Sequence, residues 1–215
     1  RLIKNPDEGQ RIYSDLSVSK IFNVNGFNVL SRVGIKSIDY NLTHSSKNTQ
    51  SINVPNALID ISSMYVNKNG SSINILKPRF IYGYTAYRNQ ENNPIFDSNE
   101  ISPNNELFIN DRFSGMDRIG DQSFYTLSID YSQMKMGMKK ASLSISKKYY
   151  LKDRKVWMNP SMNQMGSMNS MNQMNSMSSM MRMNLDEGPA VIMASWMPSM
   201  NTMIMGYGGY LKDQK

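Results

Sequence analysis

Apolar and polar positions alternate with a period of two along most of this chain, the signature of β-strands with one greasy and one wet face. Tyr125, Leu127, Ile129 and Tyr131 interleave with Thr126, Ser128, Asp130 and Ser132. Ala141, Leu143, Ile145, Tyr149 and Leu151 alternate with Ser142, Ser144, Ser146 and Lys148. Near the start, Ile12, Leu16, Val18 and Phe22 alternate with Tyr13, Asp15, Ser17 and Ser19. Phe27, Val29, Val33 and Ile35 lead the next strand, whose apolar phase then changes to Ile38, Tyr40 and Leu42. That change predicts a β-bulge near Lys36–Ser37. Further strands are predicted around Ala57–Tyr65, Ile73–Tyr87, Ala190–Met197 and Thr202–Leu211, making about nine in all.

The connections alternate short and long. Asn23–Gly26, Asn67–Gly70, Lys135–Lys140 and Pro198–Asn201 are turn-sized, and long polar loops lie between them. Short turns on one side and long loops on the other are the habit of transmembrane β-barrels, with short periplasmic turns and long external loops. By that rule the strands ending at Leu42, Tyr87, Leu151 and Leu211 run outward, and Tyr84, Tyr87, Tyr149, Tyr150 and Trp157 gather as an aromatic girdle. The expected fold is therefore all-β, an antiparallel meander forming part of an outer-membrane barrel over 1–215. Residues 88–121 are its long external loop, and 157–188 a Met/Asn/Ser-rich low-complexity loop. A soluble β-sandwich, burying the same greasy faces against each other, is the alternative.

Composition narrows the class. No run approaches the roughly 18 to 20 apolar residues of a membrane helix, which leaves a barrel open. The chain has no cysteine, so disulfides and thiolate metal sites within it are excluded. It opens at Arg1 without a leader and ends on a rising strand, and is expected to be an internal piece of a longer protein. Lys and Arg number 24 against 17 Asp and Glu, a net charge of +7, a surface that could meet nucleic acid, anionic lipid or a phosphorylated glycolipid, so composition alone leaves the partner open. The basic residues form no stripe and no nucleic-acid motif is present, so a nucleic-acid partner is not expected.

One block stands apart. DRFSGMDRIGD (residues 111–121) holds two Asp-Arg pairs, each followed closely by a glycine, and runs straight into the alternating strand after Gln122. With LKPRFIYGYTAYRNQENNPIFDS upstream, SLSISKKYYLKDRKV downstream and RLIKNPDEGQRI near the start, it resembles the LPS-assembly outer-membrane protein family, LptD (OstA). The resemblance covers most of 1–156 and returns at 189–215; the Met-rich stretch has no counterpart in it. It implies a barrel that works with a plug lipoprotein (LptE). That barrel receives lipopolysaccharide from a periplasmic bridge and delivers it to the outer leaflet of the outer membrane. Family disulfides, lateral seam and periplasmic domain would lie outside this piece. A general porin shares the strand pattern without the block, and a secreted sandwich adhesin is a third class.

The candidate residues follow. Asp111, Asp117 and Asp121 could serve as acid, base or metal ligands, but neighbouring arginines lower carboxylate basicity. We expect instead a structural loop in which Asp111, Arg112, Gly115, Asp117, Arg118, Gly120 and Asp121 pair charges and make turns. Ser-His hydrolysis would need His44, the sole histidine, which sits in a Thr-His-Ser-Ser loop with no nucleophile elbow. Met162, Met165, Met168, Met171, Met174, Met177 and Met180 recur every third residue. Their thioethers suit a soft metal, but without His or Cys nearby a tolerated loop expansion is the simpler reading. Lys147, Lys148, Lys152, Arg154 and Lys155 cluster near an outward strand end, either as a solvated rim or as contacts to glycolipid phosphates. Ser128, Asp130, Ser144 and Ser146 are expected to line the lumen. No enzyme activity, cofactor or metal is expected.

Overall fold

The computed structural model describes residues 9–43, 49–91, 93–101, 103–158 and 187–210. His44 and the methionines at 162–180 lie outside them. The chain forms one large antiparallel sheet. β1 (Gly9–Val24), β2 (Phe27–Leu42), β3 (Thr49–Ser63), β5 (Ser72–Thr85), β8 (Gln122–Lys135), β9 (Met138–Tyr150), β10 (Glu187–Ser199) and β11 (Thr202–Tyr210) pair in that order. β4 (Tyr65–Asn69) also pairs with β5, so β3 and β4 act as one strand interrupted at Met64. The interruption lies beside Pro78 of β5, which has no N–H to give the ladder. Among the described residues the sheet is open, with β1 and β11 at its edges.

The short turns match their sequence signals. Asn25 and Gly26 both have positive φ (49° and 84°), as do Met136 and Gly137 (52° and 75°), the geometry of two-residue hairpins that follow the twist of the strands.

The expected bulge at Lys36–Ser37 is absent. β2 keeps continuous register with β1 and with β3 straight through those residues. The apolar phase changes because the covering of the strand changes. Ile35 belongs to the bare face, whereas Ile38, Tyr40 and Leu42 lie on the opposite face beneath a loop and are buried.

That loop, residues 86–121, is not irregular throughout. It carries a two-stranded ladder, β6 (Asn99–Glu100) with β7 (Phe113–Ser114), and a single helical turn, α1 (Pro103–Glu106). It folds back over one face of the sheet, and two small cores form between them. Ile119 packs with Ile38, Tyr40, Leu42 and Val54; Phe108 packs with Ile81, Phe124 and Tyr150.

The burial of the two faces is inverted relative to a soluble sheet. On the covered face Thr126 is 1% exposed, Ser146 3% and Lys148 0%, while the apolar outer face leaves Leu16 71%, Leu127 49% and Ile145 44% exposed. Phe80, Tyr125 and Tyr149 stack across three strands of that bare face, with neighbouring centroids 6.2 and 4.9 Å apart. Tyr150 does not join them. It is turned inward and buried, and Trp157 stacks over Arg112, so these two leave the expected girdle.

Candidate functional site: a loop docked on the polar face

Among the described residues the docked loop is held at three places where one carboxylate gathers several partners, besides the single Asp111–Lys36 pair. Asp117, from the second Asp-Arg pair, is fully buried. Its Oδ2 accepts the backbone N–H groups of Phe96, Asp97 and Ser98 at 2.7, 2.6 and 3.2 Å. Its Oδ1 accepts from Arg11 of β1 and from the Tyr40 hydroxyl of β2 (3.3 Å). Its own N–H donates to Ser98 Oγ at 2.9 Å. A buried carboxylate is tolerable when its lone pairs are met this fully.

Asp97 shares the same arginine, accepting Arg11 Nη1 and Nη2 at 2.9 and 2.8 Å and the Met116 N–H at 3.0 Å. The Arg11 guanidinium, and then the Met116 N–H, hold its carboxyl well below the usual carboxylate range. Gly115 makes the turn between these groups. Its φ is +76°, and a Cβ there would stand 2.5 Å from the Asp97 carbonyl oxygen. Gly120 serves differently, through close approach: a Cβ would come within 2.8 Å of Arg112 Cβ.

The second place is Asp121, which caps residues after β9. It accepts the N–H groups of Lys155 (3.0 and 2.9 Å) and Val156 (2.8 Å). Arg112 lies 3.6 Å from it and donates to the carbonyls of Asp121 and Val156. Burial, with repulsion from Arg154, pushes the Arg112 guanidinium down from its ordinary value. Arg118 is also buried and lowered for that reason, and donates to the Asn93 carbonyl at 2.9 Å. Asp111 reaches β2 instead, pairing with Lys36.

The third is Glu106, at the end of α1, a residue that sequence reasoning missed. It accepts from the Tyr150 hydroxyl and lies 3.6 Å from Lys148 Nζ and 3.9 Å from Arg154. Lys148 also donates to the Glu106 carbonyl (2.9 Å) and to Gln122 Oε1 (3.2 Å), and its ammonium sits 3.8 Å from the Phe124 ring centroid. Asn110 and Thr126 complete the seam: Asn110 Nδ2 donates to the carbonyls of Ala57 and Tyr84, and Thr126 Oγ1 to that of Leu107 at 2.6 Å.

The five basic residues of 147–155 therefore do not form one patch. Lys148 and Arg154 are turned inward onto Glu106, Lys147 lies over Tyr149 on the outer face, and Lys152 and Lys155 are exposed. Ser128, Asp130, Ser144 and Ser146 all lie on the loop-covered side. Ser146 donates to Ser128 at 2.9 Å, and Asp130 stands opposite Ser144 on the less covered half.

Together these features define an antiparallel all-β sheet with one bare, largely apolar face and an opposite face, rich in polar side chains, that is covered by the chain's own loop. The family model for LptD, LPS transport system D, matches residues 2–196, and the chain belongs to that family. The LPS-assembly protein LptD of Acinetobacter baylyi is 29% identical over 162 residues, covering 70% of this chain and 20% of that protein. The Pseudomonas aeruginosa protein of the same name is 42% identical over 83 residues, 38% of this chain and 9% of the relative. The chain thus spans about a fifth or less of the curated relatives it matches.

Proposed function

We propose that this chain forms part of the transmembrane β-barrel of an outer-membrane lipopolysaccharide translocon, which delivers the glycolipid to the outer leaflet during membrane assembly. One observation carries the barrel reading: the face that a soluble protein would bury is bare, and the face it would wet is covered. A contiguous apolar surface of this extent needs lipid or another protein against it. The strands suit lipid, since a tilted membrane strand needs about 9–11 residues and β8 and β9 have 14 and 13. Membership of the LptD family supplies the cargo. The lipid's sugars would pass through the hydrated half of the interior near Asp130 and Ser144, with acyl chains leaving through a seam outside this piece. Lys152 and Lys155, exposed at the loop end, are the remaining candidates for contact with its phosphates.

In this reading the partners are lipopolysaccharide, a plug lipoprotein of the LptE kind, the periplasmic transport bridge acting through a domain outside this piece, and outer-membrane lipids. No covalent step is required of the barrel. The test is depletion of the full-length protein in its native cell while newly made lipopolysaccharide is followed to the surface. Arrested arrival with internal accumulation supports the translocon. Unchanged surface lipid with reduced small-solute uptake would make the protein a porin.

A further inference from the structure

A cavity of about 270 Å³ lies on the covered side of the sheet, between β1, β2, β3 and β5 and the loop segment Phe108–Asp111. Its charges balance. Asp15, Asp60 and Asp111 face Arg32, Lys36 and Arg79 around it. Most of those charges are already engaged: Arg79 holds Asp60 through three hydrogen bonds of 2.6 to 3.2 Å, and Lys36 pairs with Asp111 and lies 3.8 Å from Asp15. A phosphate entering here would meet three carboxylates and only one cation, Arg32, without a carboxylate partner among the described residues. A bare metal ion would meet carboxylates already taken by cations.

What remains is hydrogen-bonding capacity fixed in direction beside an apolar wall. Carboxylates locked by an arginine or lysine keep lone pairs for hydroxyl donors. The Asn56 side chain borders the cavity, and its buried amide nitrogen has no protein acceptor. Leu30, Leu58 and Phe108 supply the apolar part, Phe108 being held by the Arg79 guanidinium 5.2 Å from its ring centroid. Planar, immobilised polar groups next to an aromatic ring match a ligand with hydroxyls around its rim and C–H groups on its face. The volume falls just below the roughly 300–1,000 Å³ of drug-sized sites, which suits one ring rather than an oligosaccharide.

We propose that this cavity is a binding site for a single uncharged sugar ring. The inference rests on the translocon reading for the source of that ring, a glycolipid in transit, and places a resting point for its neutral sugars away from its phosphates. Purified full-length protein in detergent is probed with methyl α-D-glucopyranoside by saturation-transfer NMR, with inorganic phosphate as competitor. Ring-proton signals that survive excess phosphate and weaken about tenfold in affinity in Phe108→Ala are expected. Asn56→Leu, which fills the wall without removing the loop's ring, is the second variant and should give the same loss. Absence of signal, displacement by phosphate, or signal unchanged in both variants overturns the site. Surface delivery in the depletion assay separates the two claims. Delivery with no sugar binding removes this inference alone, whereas sugar binding with delivery unaffected by depletion removes the transport reading.

Discussion

Asp117→Ala is the most informative single perturbation of the docked loop. It strips the acceptor from three consecutive backbone N–H groups, those of Phe96, Asp97 and Ser98, and removes one of the two carboxylates facing Arg11. Each orphaned buried donor costs about 1–3 kcal/mol, and removing one partner of a buried ion pair about 3–5 kcal/mol. Two features hold the total below even the low end of that sum, about 6 kcal/mol. Arg11 is 19% exposed and keeps both hydrogen bonds to Asp97. The loop can also detach and hydrate its amides, so the loss cannot exceed the free energy of docking. We expect about 3 kcal/mol, a rise of about a hundredfold in the population with 93–101 undocked. Hydrogen exchange of the full-length protein in detergent reads this directly. The amides of 96–98 should lose about two decades of protection while those of β8 keep theirs. Unchanged protection at 96–98 would refute the assignment of Asp117 as the organising carboxylate.

Further outcomes follow from the same geometry. Because the Asp97 carboxyl is held below its ordinary value of about 4, its contribution to docking is complete above that pH and fades as pH falls below it. Loop protease resistance should therefore be flat from pH 8 to 5 and decline in acid, and Asp97→Asn should make that decline shallower by removing the part that Asp97 contributes. Glu106→Gln leaves Lys148 buried without its charge partner and should cost about 3 kcal/mol in denaturant unfolding. Adding Lys148→Met should recover part of that loss, and a fully additive double mutant would contradict the pairing. Gly115→Ala meets both a left-handed φ and the Asp97 carbonyl, and should destabilise by more than 1 kcal/mol, measured by the thermal midpoint of loop proteolysis.

Much of the sheet was legible because a strand's period of two survives any tertiary context. Leu127 and Ile129 fall on one side and Thr126 and Ser128 on the other in sequence and structure alike. The hairpin at Asn25–Gly26 was legible for a local reason, since both residues tolerate positive φ. The loop's destination was not legible. Nothing periodic in DRFSGMDRIGD says whether it points away from the sheet or back onto it, and its partners Arg11, Tyr40 and Val156 are distant in sequence. The misreadings on the covered face trace to that docking. Ile38, Tyr40 and Leu42 looked like a register shift because their cover could not be seen. Lys148 looked like part of a basic cluster at the rim, and Tyr150 like part of an aromatic girdle, because Glu106, which turns them inward, lies in an unremarkable Asn-Asn-Glu stretch.

A transmembrane barrel requires the bare apolar face of the sheet to meet lipid. Nitroxide labels placed one at a time at 125–131 in the full-length protein, reconstituted in bilayers, report this through relaxation by oxygen and by a water-soluble nickel chelate. Labels at 125, 127, 129 and 131 should be relaxed by oxygen and shielded from nickel, while those at 126 and 128 are shielded from both beneath the loop. If the odd positions respond to nickel, or the alternation disappears, the apolar face does not meet the membrane and the barrel reading falls.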